Sequence, residues 1–378
     1  MFRSGMPVQG HEFVNRRKEL QLLTAYLRDG QHVMLKAPRR FGKTSLVIQA
    51  FSRIDGIKLY LDLQRAPDLN RLAHLIIEDI YAQIGFSGFL RKMRDSVITL
   101  LRDLQVSAHV DMAIAQVTIE KLEKTQDATE LFLYALDLVN TVAKQQNVNI
   151  KFAMDEFQDI QKFDDPDILN KLRSVIQHHQ NVTYVFLGSL ESLMTAIFQK
   201  KASPFFHFAR VMELDGLEIR DLLTHALNTF RGRKLHVDEQ ALLDALELLE
   251  GHPYYCAKTL QSVNYMNLEN GKPQIERSDI RNAILYALYE TKSYLEEILG
   301  RLKSKKHHYE VLYSIANNTK PRIDSKNLYR IHKSLEEMGF LKNVEVGVYK
   351  ITDVFLRFLL LQKSDASLVF HEDILLPY

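Results

Sequence analysis

A single cysteine, Cys256, stands in 378 residues. One cysteine forms no internal disulfide and builds no thiolate metal cluster, so a disulfide scaffold is excluded and a reducing compartment is expected. The opening, MFRSGMPVQGHEF, lacks the basic-then-apolar pattern of a secretory leader. Long apolar runs are missing too. The longest stretch without Asp, Glu, Lys or Arg, Ser174 to Leu190, contains the polar HHQN segment. No membrane span is therefore expected, and a cytoplasmic location is. Repeats and low-complexity tracts are absent. What is present is ordinary globular composition, 46% hydrophobic, 25% charged and 10% aromatic. That excludes disorder and collagen, and the length suggests two or three domains.

Net charge is nearly absent as well, 49 basic against 47 acidic residues, but its distribution is uneven. Residues 300–350 hold eleven Lys or Arg and five Asp or Glu, a local +6 that leaves the rest at −4. A basic segment of this kind points to a polyanionic partner.

The first half alternates helix and strand. A helix from Arg16 to Leu27 ends near Gly30, and a short apolar strand, His32–Lys36, leads into APRRFGKTS and a second helix. Strand Ile57–Leu63 and helix Leu69–Ile84 complete a βαβ unit, which places strands parallel with helices on both faces. Residues 86–120 break the rhythm and read as an insertion: a helix over Phe89–Leu104, then an alternating stretch whose phase slips before Val117, as in a bulge or hairpin. Helix Ala128–Ala143, strand Val148–Met154, helix Pro166–His178, strand Val182–Leu187, helix Leu190–Gln199 and a strand near Val211–Leu214 follow, five core strands in all. From Gly216 to about Glu290 the signals are only helical. Residues 300–362 carry helix, helix and β-hairpin, the order of a winged helix-turn-helix.

Ala37–Thr44, APRRFGKT, matches GxxxxGK[ST] except that Ala37 replaces the first glycine, and it lies between a strand and a helix as the phosphate-binding loop requires. The loop residues Ala37, Pro38, Arg39, Arg40, Phe41, Gly42, Lys43, Thr44 and Ser45 are the candidate nucleotide contacts. Backbone N–H groups at the helix start surround phosphate, Lys43 reaches the β- and γ-phosphates, and Thr44 offers its hydroxyl to Mg²⁺. Arg39 and Arg40 contact phosphate or a lid. IKFAMDEF (Ile150–Phe157) is a buried strand ending in two acids, at the sheet edge where parallel sheets bind ligands. Asp155 is the expected Mg²⁺ carboxylate and Glu156 the expected base for an attacking water. Ser189 reads either as a γ-phosphate sensor or as a helix N-cap. Arg210 reads either as an arginine finger for a neighbouring subunit's nucleotide or as a surface ion pair.

These motifs together resemble the STAND and archaeal-type ATPases, a branch near AAA+. FVNRRKEL (Phe13–Leu20) is similar to the family's hhGRExE segment, with Asn15 for its glycine and Arg17 for its first glutamate. APRRFGKTSL resembles GPRRxGKTSL, MDEFQ the DExQ strand end, GHPYY (Gly251–Tyr255) the GxP turn of a helical lid, and ITDVFLRF the family's ITDPFLRFW. The resemblance implies an AAA-like P-loop NTPase core over 1–214, a helical lid over 215–295, a winged helix over 300–362 and a tail over 363–378. It also implies that Phe13 and Arg16 lie against the adenine and ribose and that Pro253 approaches the nucleotide. ATP and Mg²⁺ are the implied cofactors.

On Ser325–Gly339, Leu328, Ile331, Leu335 and Met338 form an apolar stripe, and Lys326, Arg330 and Lys333 fall on the other side. With Lys342 and Lys350 on the wing, duplex DNA is one expected partner; a protein partner is the other, as is self-association through Arg210. The expected function is Mg²⁺-dependent ATP hydrolysis driving a switch. The alternatives are a nucleotide-controlled docking module with little turnover and an initiator-type AAA+ protein. The latter usually carries a lid arginine, whereas here the helix after Gly251 offers Lys258 and no arginine before Arg277.

Overall fold

The structure is a computed structural model and describes residue 2 and residues 4–84, 127–270, 272–345 and 347–361. The expected insertion at 86–120 and the tail at 363–378 lie outside the described residues.

Five strands, β1 (Val33–Lys36), β2 (Lys58–Asp62), β3 (Ile150–Asp155), β4 (Val182–Gly188) and β5 (Arg210–Glu213), form a parallel sheet in the order β2-β3-β4-β1-β5. The last strand starts one residue earlier than its apolar pattern indicates, so Arg210 belongs to it. Helices α1 (Arg17–Arg28) and α2 (Lys43–Phe51) cover one face, where Val33, Leu35, Ala153, Val185 and Leu187 point. Helices α3 (Leu69–Gln83), α4 (Ala128–Gln145), α5 (Ile168–Ile176) and α6 (Glu191–Gln199) cover the other, over Met34, Phe152, Met154, Tyr184 and Phe186. Alternate residues thus serve opposite faces, as the two-residue period of a strand demands. Phe186 is fully buried, with the rings of Phe157 and Phe198 at 4.6 and 5.1 Å. Truncating such a side chain costs about 3–5 kcal/mol.

Register brings the functional ends together. Asp62 pairs with Asp155, and Lys36 with Gly188, so the carboxyl ends of four strands share one edge. The chain passes from Lys36 into the Ala37–Thr44 loop at that edge, beside the turn after β3.

The second half holds α7 (Ile219–Arg231), α8 (Glu239–Leu248), α9 (Pro253–Asn270), α10 (Arg277–Glu290), α11 (Lys292–Lys303), α12 (His308–Ala316), α13 (Ser325–Glu337) and α14 (Val354–Leu361). Two strand pairs accompany them: β6 (His236–Val237) beside β7 (Gln274–Ile275), and the antiparallel hairpin of β8 (Leu341–Glu345) and β9 (Val348–Ile351). The short β6–β7 pair corrects the expectation of helix alone; two residues per strand leave no periodic signal. One apolar cluster runs from Phe2 through α7–α10 to Leu360, so the helices after β5 and the terminal helix–helix–hairpin unit share a core. Among the described residues, no helix is long and apolar enough to cross a membrane.

Candidate nucleotide-binding site

Lys43 opens α2 and is buried, yet no phosphate is needed to hold it: its Nζ donates to the Ala37 and Pro38 carbonyls at 2.8 and 3.1 Å. Burial pushes its ammonium below the usual lysine value, while Glu156, Asp155 and Glu191 pull it back. The loop turns through two left-handed residues, Arg40 at φ +67° and Gly42 at +82°. Glycine takes that conformation without strain; Arg40 bears it because its guanidinium lies over the rings of Tyr254 and Tyr294, 4.3 and 4.6 Å from their centroids. Ala37 is absent from the positive-φ residues, so a Cβ is tolerated where the motif has glycine. Ser45 is buried and accepts from the Val8 N–H at 3.1 Å.

Beside Lys43, Thr44 donates to Asp155 Oδ2 at 3.1 Å, and the Glu156 N–H donates to Asp155 Oδ1 at 2.9 Å. A hydroxyl and a carboxylate so close are two hard oxygen donors, the kind Mg²⁺ takes together with phosphate and water. Tyr60, on β2, also donates to Asp155 Oδ2, and burial, with the Asp155 charge, pushes its phenol well above the ordinary tyrosine value. No motif names Tyr60. Its only sequence signal is parity: it lies two residues before Asp62 on the same strand face, and Asp62 is the register partner of Asp155.

Glu156 is left-handed at φ +51°, and one of its carboxylate oxygens gathers three donors. Glu156 Oε2 accepts from Gln158 Nε2 at 2.6 Å, Ser189 Oγ at 2.6 Å and the Ser189 N–H at 3.2 Å. This corrects the N-cap alternative for Ser189: α6 is preceded by Leu190 and has no side-chain cap, because the serine hydroxyl points to the acid.

A cavity of about 440 Å³ joins these groups, within the range of small-molecule sites. Arg39 to Ser45, Asp155 and Glu156 line it, together with Phe2, Met6, Val8, Phe13, Leu222, His225, Pro253 and Leu260. Phe13 and Pro253 thus line the same cavity as the loop. Much of the wall is the N-terminal segment before Phe13, which no motif marked. Arg16 also lines the cavity, but its guanidinium donates to the main-chain carbonyls of Phe41 and Asp215 at 3.1 and 2.6 Å and to Glu19 at 3.2 Å. Arg16 ties the phosphate loop to the chain leaving β5 while it lines the cavity.

The GHPYY turn docks on the same region. Gly251 has φ +60°, and a Cβ there would stand 2.2 Å from the Leu217 carbonyl oxygen; one on Gly216 would stand 2.3 Å from that of Glu250. His252 caps α9, accepting from the Tyr255 N–H at 3.4 Å, and its buried ring meets Phe41 edge-on at 4.6 Å. Burial, with Arg40 adding repulsion, pushes the His252 imidazolium down to about 3. Tyr255 donates to Asp353 at 2.7 Å and stacks on Phe355 at 3.9 Å, while Glu250 pairs with Lys350 and Arg357. The loop, the turn and the ITDVFLRF segment are therefore contiguous.

Arg210 is exposed and pairs in register with Val33, at the opposite end of β1 from the phosphate loop. It cannot reach its own chain's cavity. On α13, Ile331 and Leu335 are buried while Lys326, Arg330 and Lys333 are exposed without an ion-pair partner among the described residues. The hairpin lysines differ from expectation. Lys342 faces Glu191, Glu213 and Asp215 at 3.5–3.9 Å, and Lys350 faces Glu250, so both turn toward the chain's own acids.

A family model described as AAA-like domain matches residues 2–360, and the chain belongs to that family. Its fold is that of the P-loop NTPases. A Walker-type ATPase of Pyrococcus abyssi superposes with a TM-score of 0.69 at 17% identity, covering 95% of this chain and 99% of that one. The ORC2 protein of Aeropyrum pernix in ADPNP–ADP complexes superposes with a TM-score of 0.61 at 14% identity, covering 93% and 94%. Its ADP form gives 0.55 at 13%, covering 94% of each chain. At such identities the likeness is one of fold. A search of curated proteins finds no match.

Proposed function

We propose that this chain is a Mg²⁺-dependent ATPase of STAND-like type, in which bound nucleotide sets how the phosphate loop engages the helical lid and a C-terminal winged helix. The carrying observation is that Lys43, Thr44, Asp155 and Glu156 line one cavity of about 440 Å³, with apolar side chains such as Phe13, Leu222 and Leu260 in the same wall. The ORC2 relatives of the same fold hold ADPNP and ADP, which supports a nucleotide here. The division into a core over 1–214, a lid over 215–295 and a winged helix over 300–362 goes with this reading.

Lys43 would exchange its two carbonyl partners for phosphate oxygens, a stronger charge-assisted contact. Thr44 and Asp155 would hold Mg²⁺, which neutralises phosphate charge when bound. Glu156 would accept the proton of the attacking water once its carboxylate leaves the Ser189 and Gln158 donors. Arg210 would meet a nucleotide only across a contact between two chains. Lys258, paired to Glu290 at 3.0 Å, supports the STAND-like reading over the initiator type, since the lid helix presents no arginine to the cavity. The exposed Lys326, Arg330 and Lys333 support duplex DNA as the partner of α13.

A second reading, a switch with little turnover, is favoured by the three donors that hold Glu156. Turnover measured on wild type and Glu156→Gln separates the two. Loss of most turnover with Mg²⁺–ATP binding retained supports hydrolysis through Glu156. Tight binding without wild-type turnover supports the switch.

A further inference from the structure

Three oxygens meet where β2, β3 and the start of α2 converge. Thr44 Oγ1 lies 3.1 Å from Asp155 Oδ2 and 3.2 Å from the Tyr60 hydroxyl, which also donates to Asp155 Oδ2. A threonine oxygen that gives a lone pair to a cation keeps its hydrogen, so Thr44 can ligate and still donate to Asp155. Tyr60 is a second donor to the same carboxylate oxygen. Its phenol reaches Asp155 from the neighbouring strand, where Tyr60 pairs with Ala153 two residues before the carboxylate. An ionised carboxylate oxygen accepts from more than one donor, so Tyr60 and Thr44 hold Asp155 Oδ2 together.

We propose that Tyr60 is the positioning residue of the cation site, holding the Asp155 carboxylate toward Thr44 before and after Mg²⁺ arrives. The assignment rests on the nucleotide-site reading above. Hydrogen bonds to ligating carboxylates fix their orientation, and removing such a partner typically lowers metal affinity about 10–100-fold. The half-buried phenol packs against the apolar layer under α1 and α2, so phenylalanine keeps the ring and deletes only the donor.

The test titrates a fluorescent, non-hydrolysable ATP analogue into wild type and Tyr60→Phe, each in EDTA and in saturating Mg²⁺. Equal affinities in EDTA, with the Mg²⁺-dependent gain reduced about tenfold or more in the variant, support the assignment. A gain that is unchanged overturns it, and a larger gain shows that the phenol competes with the cation. Weakened binding in EDTA as well assigns Tyr60 to the fold and not to the metal, which also overturns it. Failure of wild type to bind the analogue in either condition removes the nucleotide-site reading itself, and Tyr60's role with it.

Discussion

Acidification from about pH 7 to pH 5 should destabilise this protein through a histidine held at the junction of its two halves. His252 is 4% exposed, between Phe41 of the phosphate loop and Tyr255 of α9. Its folded pKa is about 3 against an ordinary 6.5. The unfolded chain therefore binds the proton more tightly. Stability is complete above the ordinary value and is lost as pH falls through it toward 3. At pH 5 the loss from His252 alone is about 2 kcal/mol. His32, half-buried just before β1 and held at about 4 by desolvation and the charges of Arg173, His179 and Lys151, adds about as much. Glu250 is held below the ordinary carboxylate value, so its contribution fades only at lower pH. Urea unfolding of wild type and His252→Asn at both pH values measures the effect. Asparagine keeps a side-chain acceptor for the Tyr255 N–H, so the cap survives while the titration is removed. The variant should lose about 2 kcal/mol of the pH dependence. An identical pH dependence in the two proteins would refute the placement of a neutral imidazole in this junction.

Lys43→Ala should lower affinity for an ATP analogue at least about tenfold, the worth of one charged hydrogen bond, while circular dichroism stays native; unchanged affinity by calorimetry removes the phosphate-loop assignment. Gly251→Ala should cost more than the roughly 1–2 kcal/mol of a left-handed alanine, because its Cβ collides with the Leu217 carbonyl; a melting temperature equal to wild type would contradict the close approach. Arg330→Ala combined with Lys333→Ala should weaken duplex DNA binding and flatten its dependence on salt by about 0.9 in log–log slope per lost phosphate contact. Anisotropy at several salt concentrations reads this, and no wild-type binding at low salt would leave α13 as a protein-docking face.

What the sequence determined by itself is what neighbouring residues encode. The five strands follow from runs such as VMLK and IKFAM, the phosphate loop from a motif of eight residues, and the acids after β3 from their place at a strand end. The apolar stripe of α13 is likewise a spacing within one helix, and it predicts the burial of Ile331 and Leu335. None of these needs a distant partner. The remainder depended on where elements land. That the Arg16 guanidinium also meets the chain after β5 is written in no local pattern. Lys342 and Lys350 count as free positive charge in a composition window; in the fold, Glu191, Glu213, Asp215 and Glu250 neutralise them from far along the chain. Ser189 turns from a helix cap to a carboxylate partner because β3 and β4 are adjacent strands. Tyr60 reaches Asp155 only through the register of β2 on β3. A periodic pattern reports which face of an element is buried. Which charge or hydroxyl waits on the other side is set by the order of strands and the docking of the helices, and that only the tertiary structure decides.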